Sequence, residues 1–191
     1  MKIKRFVMSF VVTLSLGLIL LVGCAPQQQQ DKGPSQTSPP ETTPDVTTSA
    51  SIVDNVDDFK TAISDKGTWI IAVTKDITSE EELVLAGEFK NGKKDENGND
   101  IIQRKIALYE QDKDRNVTAR YTLKAPKLTI LSPKASIQHG TFVGDIYVSA
   151  NDFQLVDTKV EGNIYFTTEE AQSTFTKDEA SSVTGKTELK K

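Results

Sequence analysis

The chain has 191 residues, with 23 Lys or Arg against 27 Asp or Glu, a formal net charge of −4. It holds one cysteine, Cys24, and one histidine, His139, which excludes an internal disulfide and any site that needs two imidazoles. Setting aside Lys2, Lys4 and Arg5 leaves 20 bases against 27 acids, which argues against nucleic acid or anionic lipid headgroups as main partners, since both call for basic patches.

The chain opens with Met1-Lys-Ile-Lys-Arg5, a basic head. Phe6 to Val22 is an apolar run, interrupted only by Ser9, Thr13, Ser15 and Gly17. Its length lies at the bottom of the range of ~17–25 for a spanning helix, so length alone leaves a permanent anchor open. The next residues decide between the two. Leu21-Val22-Gly23-Cys24 resembles the lipobox of bacterial lipoproteins, whose cysteine is acylated on sulfur with palmitate-type chains and becomes the new N-terminus. The resemblance implies that residues 1–23 are a lipoprotein signal peptide, that Cys24 is the lipidation site, and that the protein is anchored to the outer face of the bacterial cell membrane. Acyl chains contribute about 0.8 kcal/mol per buried CH₂, and two chains hold far better than one.

Residues 24–50 form the next segment, rich in Pro, Gln, Ser and Thr. Five of the seven prolines are here: Pro26, Pro34, Pro39, Pro40 and Pro44. Such a composition cannot bury enough apolar surface to offset the entropy of ordering. A disordered, partly extended spacer is expected, reaching about 80 Å when extended at ~3.1 Å per residue.

Residues 51–191 are long enough for one domain with a real core. Asp57 to Ser64 predicts a short amphipathic helix with Phe59 and Ile63 on one face, capped by Asp57 or Asp58. Strands are expected at Thr68–Val73, Glu82–Phe89, Lys105–Tyr109 and Thr118–Leu123. From there the strands become short and frequent.

The decisive pattern is internal. Val143-Gly-Asp-Ile-Tyr-Val148 recurs as Glu161-Gly-Asn-Ile-Tyr-Phe166, at a displacement of 18. Another 18 back lies Ala125-Pro-Lys-Leu-Thr-Ile130. Ala135-Ser-Ile137 matches Phe153-Gln-Leu155, and Thr141-Phe142 matches Lys159-Val160, at the same displacement. A fixed period of short strands implies stacked layers. Leu128, Ile146 and Ile164 then form one inward column, and Ile130, Val148 and Phe166 the next. Gly144 and Gly162 mark a corner, filled by Pro126 in the preceding layer, and Asp145 over Asn163 predicts a side-chain ladder. Thr167 to Ala171 reads as a helical turn, and Val183 to Leu189 as a weaker layer displaced by 23, with the 57–64 helix and this end as caps.

A capping helix, a tryptophan strand and short stacked strands resemble the pectate-lyase-like right-handed β-helix. The Gly-Asp-Ile-Tyr-Val and Glu-Gly-Asn-Ile-Tyr-Phe repeats resemble bactofilins, the polymer-forming β-helix proteins. The expected fold is all-β, a short single-stranded parallel β-helix with about 18-residue coils and small capping helices; the alternative is a β-sandwich.

The candidate sites are few. His139 falls at an expected corner with no partner motif, a weak catalytic candidate. Asp95-Glu-Asn97-Gly-Asn99 and Asp112-Lys-Asp114-Arg-Asn116 space oxygen side chains as a calcium loop does, but lack its later Gly and Glu; they read as polar turns. Tyr147 and Tyr165 share an outward slot beside Thr129. They read first as a cross-strand ladder, and in the alternative as a platform for sugar rings. No cofactor, metal or catalytic motif is present. The expected role is a non-enzymatic structural or interaction module meeting cell-wall polysaccharide or another surface protein, with self-association through coil ends as a further option. The competing reading is a carbohydrate-active or polysaccharide-binding β-helix.

Overall fold

The computed structural model describes residues 50–190. Cys24 and the segments 1–23 and 24–49 lie outside the described residues. In chain order the elements are β1 (Ala50–Val53), α1 (Val56–Ile63), β2 (Ile70–Val73), β3 (Ile77–Thr78), β4 (Leu83–Leu85), β5 (Lys90–Lys94), β6 (Asp100–Ile102), β7 (Arg104–Ala107), β8 (Tyr109–Gln111) and β9 (Val117–Arg120). They continue with β10 (Thr122–Ile130), β11 (Ala135–Gln138), β12 (Thr141–Val148), β13 (Gln154–Val156), β14 (Lys159–Glu161), β15 (Ile164–Phe166), α2 (Glu169–Ser173), β16 (Thr176–Lys177), β17 (Ser182–Val183) and β18 (Thr187–Leu189).

Most strands fall into two parallel sheets. Sheet A runs β1-β2-β7-β11-β13-β16, and sheet B runs β17-β14-β12-β10-β3, with β4, β15 and β18 paired onto it. From β7 onward the chain visits A and B alternately, and each return lays a strand beside its predecessor in the same direction. A β-sandwich is antiparallel. Among the described residues the antiparallel pairs are the hairpins β5–β6 and β8–β9, so the sandwich alternative does not fit. The fold is all-β with parallel sheets.

The register carries the repeat. Leu83, Leu128, Ile146 and Ile164 are successive partners, as are Leu85, Ile130, Val148 and Phe166. A third column in sheet B is Ile77, Leu123, Phe142 and Val160. Sheet A contributes Ile71, Ile106, Ile137 and Leu155. All of these side chains are buried. The last layer pairs at a displacement of 23, Ile164 with Thr187 and Phe166 with Leu189. Its inward slots mix Val183 and Leu189, which pack on the core, with Thr187 and Lys177, so the apolar columns are only half continued, as expected of a terminal repeat.

Corners recur with the strands. Of the five non-glycine residues with positive φ among the described residues, four stack in two columns, Lys134 over Asp152 (52° and 60°) and His139 over Asp157 (58° and 48°), and Arg115 lies in the turn between β8 and β9. The third corner belongs to glycine. A Cβ on Gly144 would lie 1.9 Å from the Ala125 carbonyl oxygen, and one on Gly162 equally close to that of Gly144. The residue beneath Gly144 is therefore Ala125. Pro126 does not fill the corner: Lys124 pairs with Val143 and Lys127 with Asp145, so Ala125 and Pro126 face Gly144 alone across a bulge. A residue without an N–H suits that unpaired place.

Helix α1 buries Phe59, Ala62 and Ile63. Its cap is Asn55, whose side chain accepts from the Asp57 and Asp58 amides at 3.1 and 3.0 Å. The two aspartates expected as caps sit instead in the first turn, where their charge favours the helix dipole. Helix α2 begins two residues later than expected, with Thr168 as its cap. Phe175, just beyond it, packs on Phe153 and Phe166. The expected strand 82–89 shortens to Leu83–Leu85, and 105–109 and 118–123 each break at a corner. Among the described residues no helix is long and apolar enough to cross a membrane.

Candidate functional site

Strand alternation puts Val84, Thr129, Tyr147, Tyr165 and Glu188 in one outward column of sheet B. The tyrosine rings lie 5.0 Å apart at 47°, as the repeat predicts. Two ammonium groups sit over them. Lys127 Nζ is 4.8 Å from the Tyr147 centroid, and Lys190 Nζ is 5.0 and 4.5 Å from the Tyr147 and Tyr165 centroids. Lys190 also donates to the Tyr147 hydroxyl at 2.7 Å, which holds its pKa above the ordinary lysine value. Beside them Asn163 Nδ2 donates to Asp145 Oδ1 at 2.8 Å, and Asn163 Oδ1 accepts from the Lys186 amide. The predicted Asp145–Asn163 ladder is present. Cations over the rings and cross-layer bonds beside them are contacts of the kind that stabilise neighbouring strands.

His139 stands at a corner, as expected, but not alone. Its Nδ1 is 3.0 Å from Asp157 Oδ2, and the same oxygen accepts from Arg120 Nη2 at 2.5 Å. Arg120 first, and His139 second, hold the Asp157 carboxyl below its ordinary pKa. Tyr109 meets the imidazole edge-on, 4.4 Å between centroids. Sequence reasoning missed these partners, although Asp157 lies one repeat beyond His139 and the periodicity itself signals it.

The outer face of sheet A was also missed. Opposite the inward column, alternation places Ile70, Lys105, Ser136, Gln154 and Thr176 in one column and Ile52, Ala72, Ala107, Gln138 and Val156 in the other. Lys105 is the one charged side chain among them. Sheet B by contrast carries Lys124, Lys127, Asp145, Lys159, Glu161 and Glu188 on its outside. Ser136 is itself buried and anchors its neighbour, its Oγ accepting from Gln138 Nε2 at 3.0 Å. Gln154 and Ile52 are exposed, Ile52 to 76%.

Two hairpins interrupt the corners on either side of β7. In each, an aspartate closes the turn. Asp95 Oδ1 accepts from the Asn97 and Asn99 amides, and Asp112 Oδ1 from those of Asp114 and Asn116. These are the polar turns expected from the sequence. The Asn116 side-chain amide and then its backbone amide lower the Asp112 carboxyl pKa, and the Asn99 backbone and side-chain amides lower that of Asp95. Among the described residues no group of three His, Cys, Asp or Glu is placed to hold a metal ion.

Arg104 is fully buried. Its Nη1 donates to Ala86 O at 2.8 Å and its Nη2 to Ala62 O and Ser64 O at 2.6 and 2.9 Å. Phe89 covers the guanidinium at 3.8 Å. Burial lowers its pKa to about 10, so it stays charged near neutrality. The cation caps the last carbonyls of α1, where the dipole favours it. Its role is to pin the helix to the sheets.

No family model, no curated protein and no solved structure matches this chain.

Proposed function

We propose that this protein is a lipid-anchored, non-enzymatic interaction module on the outer face of a bacterial cell membrane. Acylation at Cys24 holds it, the segment 24–50 spaces it from the bilayer, and residues 51–191 form a short right-handed parallel β-helix. The observation that carries the reading is the repeat register shared by both sheets, which keeps four apolar columns aligned. A stack of this kind presents flat outer faces to a partner, cell-wall polysaccharide or another surface protein.

Two further details favour contact over catalysis. Asp157 is held by Arg120 and His139, and Asp95 and Asp112 are engaged by their own turns. Lys177 and Thr187 in the inward slots of the last layer disfavour bactofilin-like growth through that end, because a joining copy would bury an ammonium whose partner is the neutral Ser181 carbonyl.

The test is protease added to intact cells, with wild type and Cys24→Ser fractionated in parallel. The expected result is a membrane-bound wild type that is digested from outside and a variant lost from the membrane. A wild type resistant in intact cells and digested only after lysis overturns the proposal.

A further inference from the structure

We infer that the outer face of sheet A is a binding surface for an extended, uncharged polysaccharide, with the hairpins β5–β6 and β8–β9 as its two walls. The inference rests on the proposed extracytoplasmic role and names the face and the partner class.

The composition of the face points to the ligand. The chain is 26% charged, and sheet B carries Lys124, Lys127, Asp145, Lys159, Glu161 and Glu188 on its outside. Sheet A presents two amides, the exposed hydroxyl of Thr176 and apolar side chains from alanine up to the exposed Ile52, with a single charge, Lys105. Gln138 and Gln154 offer both donors and acceptors, and buried Ser136 fixes the Gln138 amide. Such a floor can exchange hydrogen bonds with sugar hydroxyls, and its one cation is Lys105, while Arg120 in the wall is already paired with Asp157. Gln138 and Gln154 lie on the paired strands β11 and β13, one layer apart and on the diagonal, Gln154 opposite Ser136 and Gln138 opposite Val156. Layers are ~4.8 Å apart, close to the advance of a linear glycan per hexose, so successive sugars meet successive layers.

The walls follow from the hairpins. On one side Ile101, Ile102 and Gln103 face Lys134, Asp152 and Gln154 across a cavity of about 370 Å³. On the other, Tyr109 stands between Lys105, whose Nζ is 5.9 Å from the ring, and His139. Arg120 bridges from the β8–β9 hairpin to Asp157, which keeps this wall standing two layers beyond β7. A channel between walls fits a single polymer strand. It obstructs the flat approach that a second copy of the sheet would need.

The test is calorimetric titration of the full chain, in a sugar-free zwitterionic detergent, with cellohexaose and chitohexaose, and with polygalacturonate as the acidic comparison. One or both neutral hexamers should bind with a dissociation constant on the order of millimolar or tighter, and polygalacturonate more weakly. Gln138→Ala with Gln154→Ala should weaken binding about tenfold, as loss of two hydrogen bonds implies. Tyr109→Ala should weaken it too, with melting curves confirming that each variant is folded. Tyr147→Ala with Tyr165→Ala, on the other sheet, should leave it unchanged. No heat with either hexamer, tighter binding of polygalacturonate, or loss on the tyrosine pair alone overturns the inference. So does a concentration-dependent dimer that Gln138→Arg disrupts. None of these results touches the protease assay for the lipid-anchored role.

Discussion

Replacing Arg104 by Met tests whether a buried, carboxylate-free cation stabilises the start of the stack. The guanidinium makes three bonds to carbonyls of Ala62, Ser64 and Ala86. Bonds to a charged donor are worth about 2 kcal/mol each, so together about 6 kcal/mol. Against this stands burial. The fall of the guanidinium pKa from 12.5 to about 10 corresponds to about 3 kcal/mol disfavouring the charge. The unpartnered Nε atom lies on the same side of the balance. Met fills much of the volume but takes the donor from the Ala62 and Ala86 carbonyls, while Ser64 O keeps the Gly67 amide, so the net loss should be about 3 kcal/mol. With a urea slope of roughly 2 kcal/mol per M for a domain of this size, the midpoint should fall by about 1.5 M. Arg104→Lys keeps the charge without the fork and should recover only part of the loss. A midpoint within about 0.3 M of wild type for Arg104→Met would refute the reasoning, because desolvation would then cancel the hydrogen bonds.

Three other outcomes are expected. Gly162→Ala places a Cβ against the Gly144 carbonyl and should lower the melting temperature by about 5–10 °C, a loss of about 2–3 kcal/mol, while Gly98→Ala, whose added Cβ meets no atom but whose φ is +83°, should cost only the left-handed strain of about 1–2 kcal/mol. Asp157→Asn should cost up to about 1 kcal/mol at pH 7, the pair being partly exposed; the Asp157 pKa is depressed in the fold, so this stability is present above the unfolded carboxylate value of about 4 and disappears as pH falls below it, and denaturation at pH 7 and pH 3 should show the difference closing. Tyr147→Ala and Tyr165→Ala, singly and together, should show a coupling of about 1 kcal/mol in a double-mutant cycle of stability; zero coupling removes the ladder reading of that face.

The parts of the fold set by repetition were legible. Leu128, Ile146 and Ile164 align because inward slots covered by a layer on each side bury their side chains fully, and Gly144 and Gly162 align because a carbonyl lies where Cβ would be. The displacement of 23 in the last layer was legible from Gly185 and Leu189 for the same reason. The β5–β6 and β8–β9 hairpins blurred the signal between residues 82 and 123. They lengthen the layer at both corners, so that Arg104 of β7 pairs with Ala135 of β11, far outside the regular period. Pro126 misled by occupying the right number in the repeat while belonging to a bulge. Arg104 could not be read as buried, because its partners are backbone carbonyls and carry no side-chain signature. The face of sheet A was hidden for a related reason: serine, glutamine and alanine look unremarkable along the chain, and only pairing gathers them.

The central claim is a stacked domain held to a membrane through Cys24. Its most direct test is the intact mass of the protein extracted from the membrane fraction. The account predicts a chain that begins at Cys24, lacks residues 1–23 and carries the added mass of acyl chains on that residue. A chain that retains Met1–Gly23 with an unmodified thiol at Cys24 would contradict it.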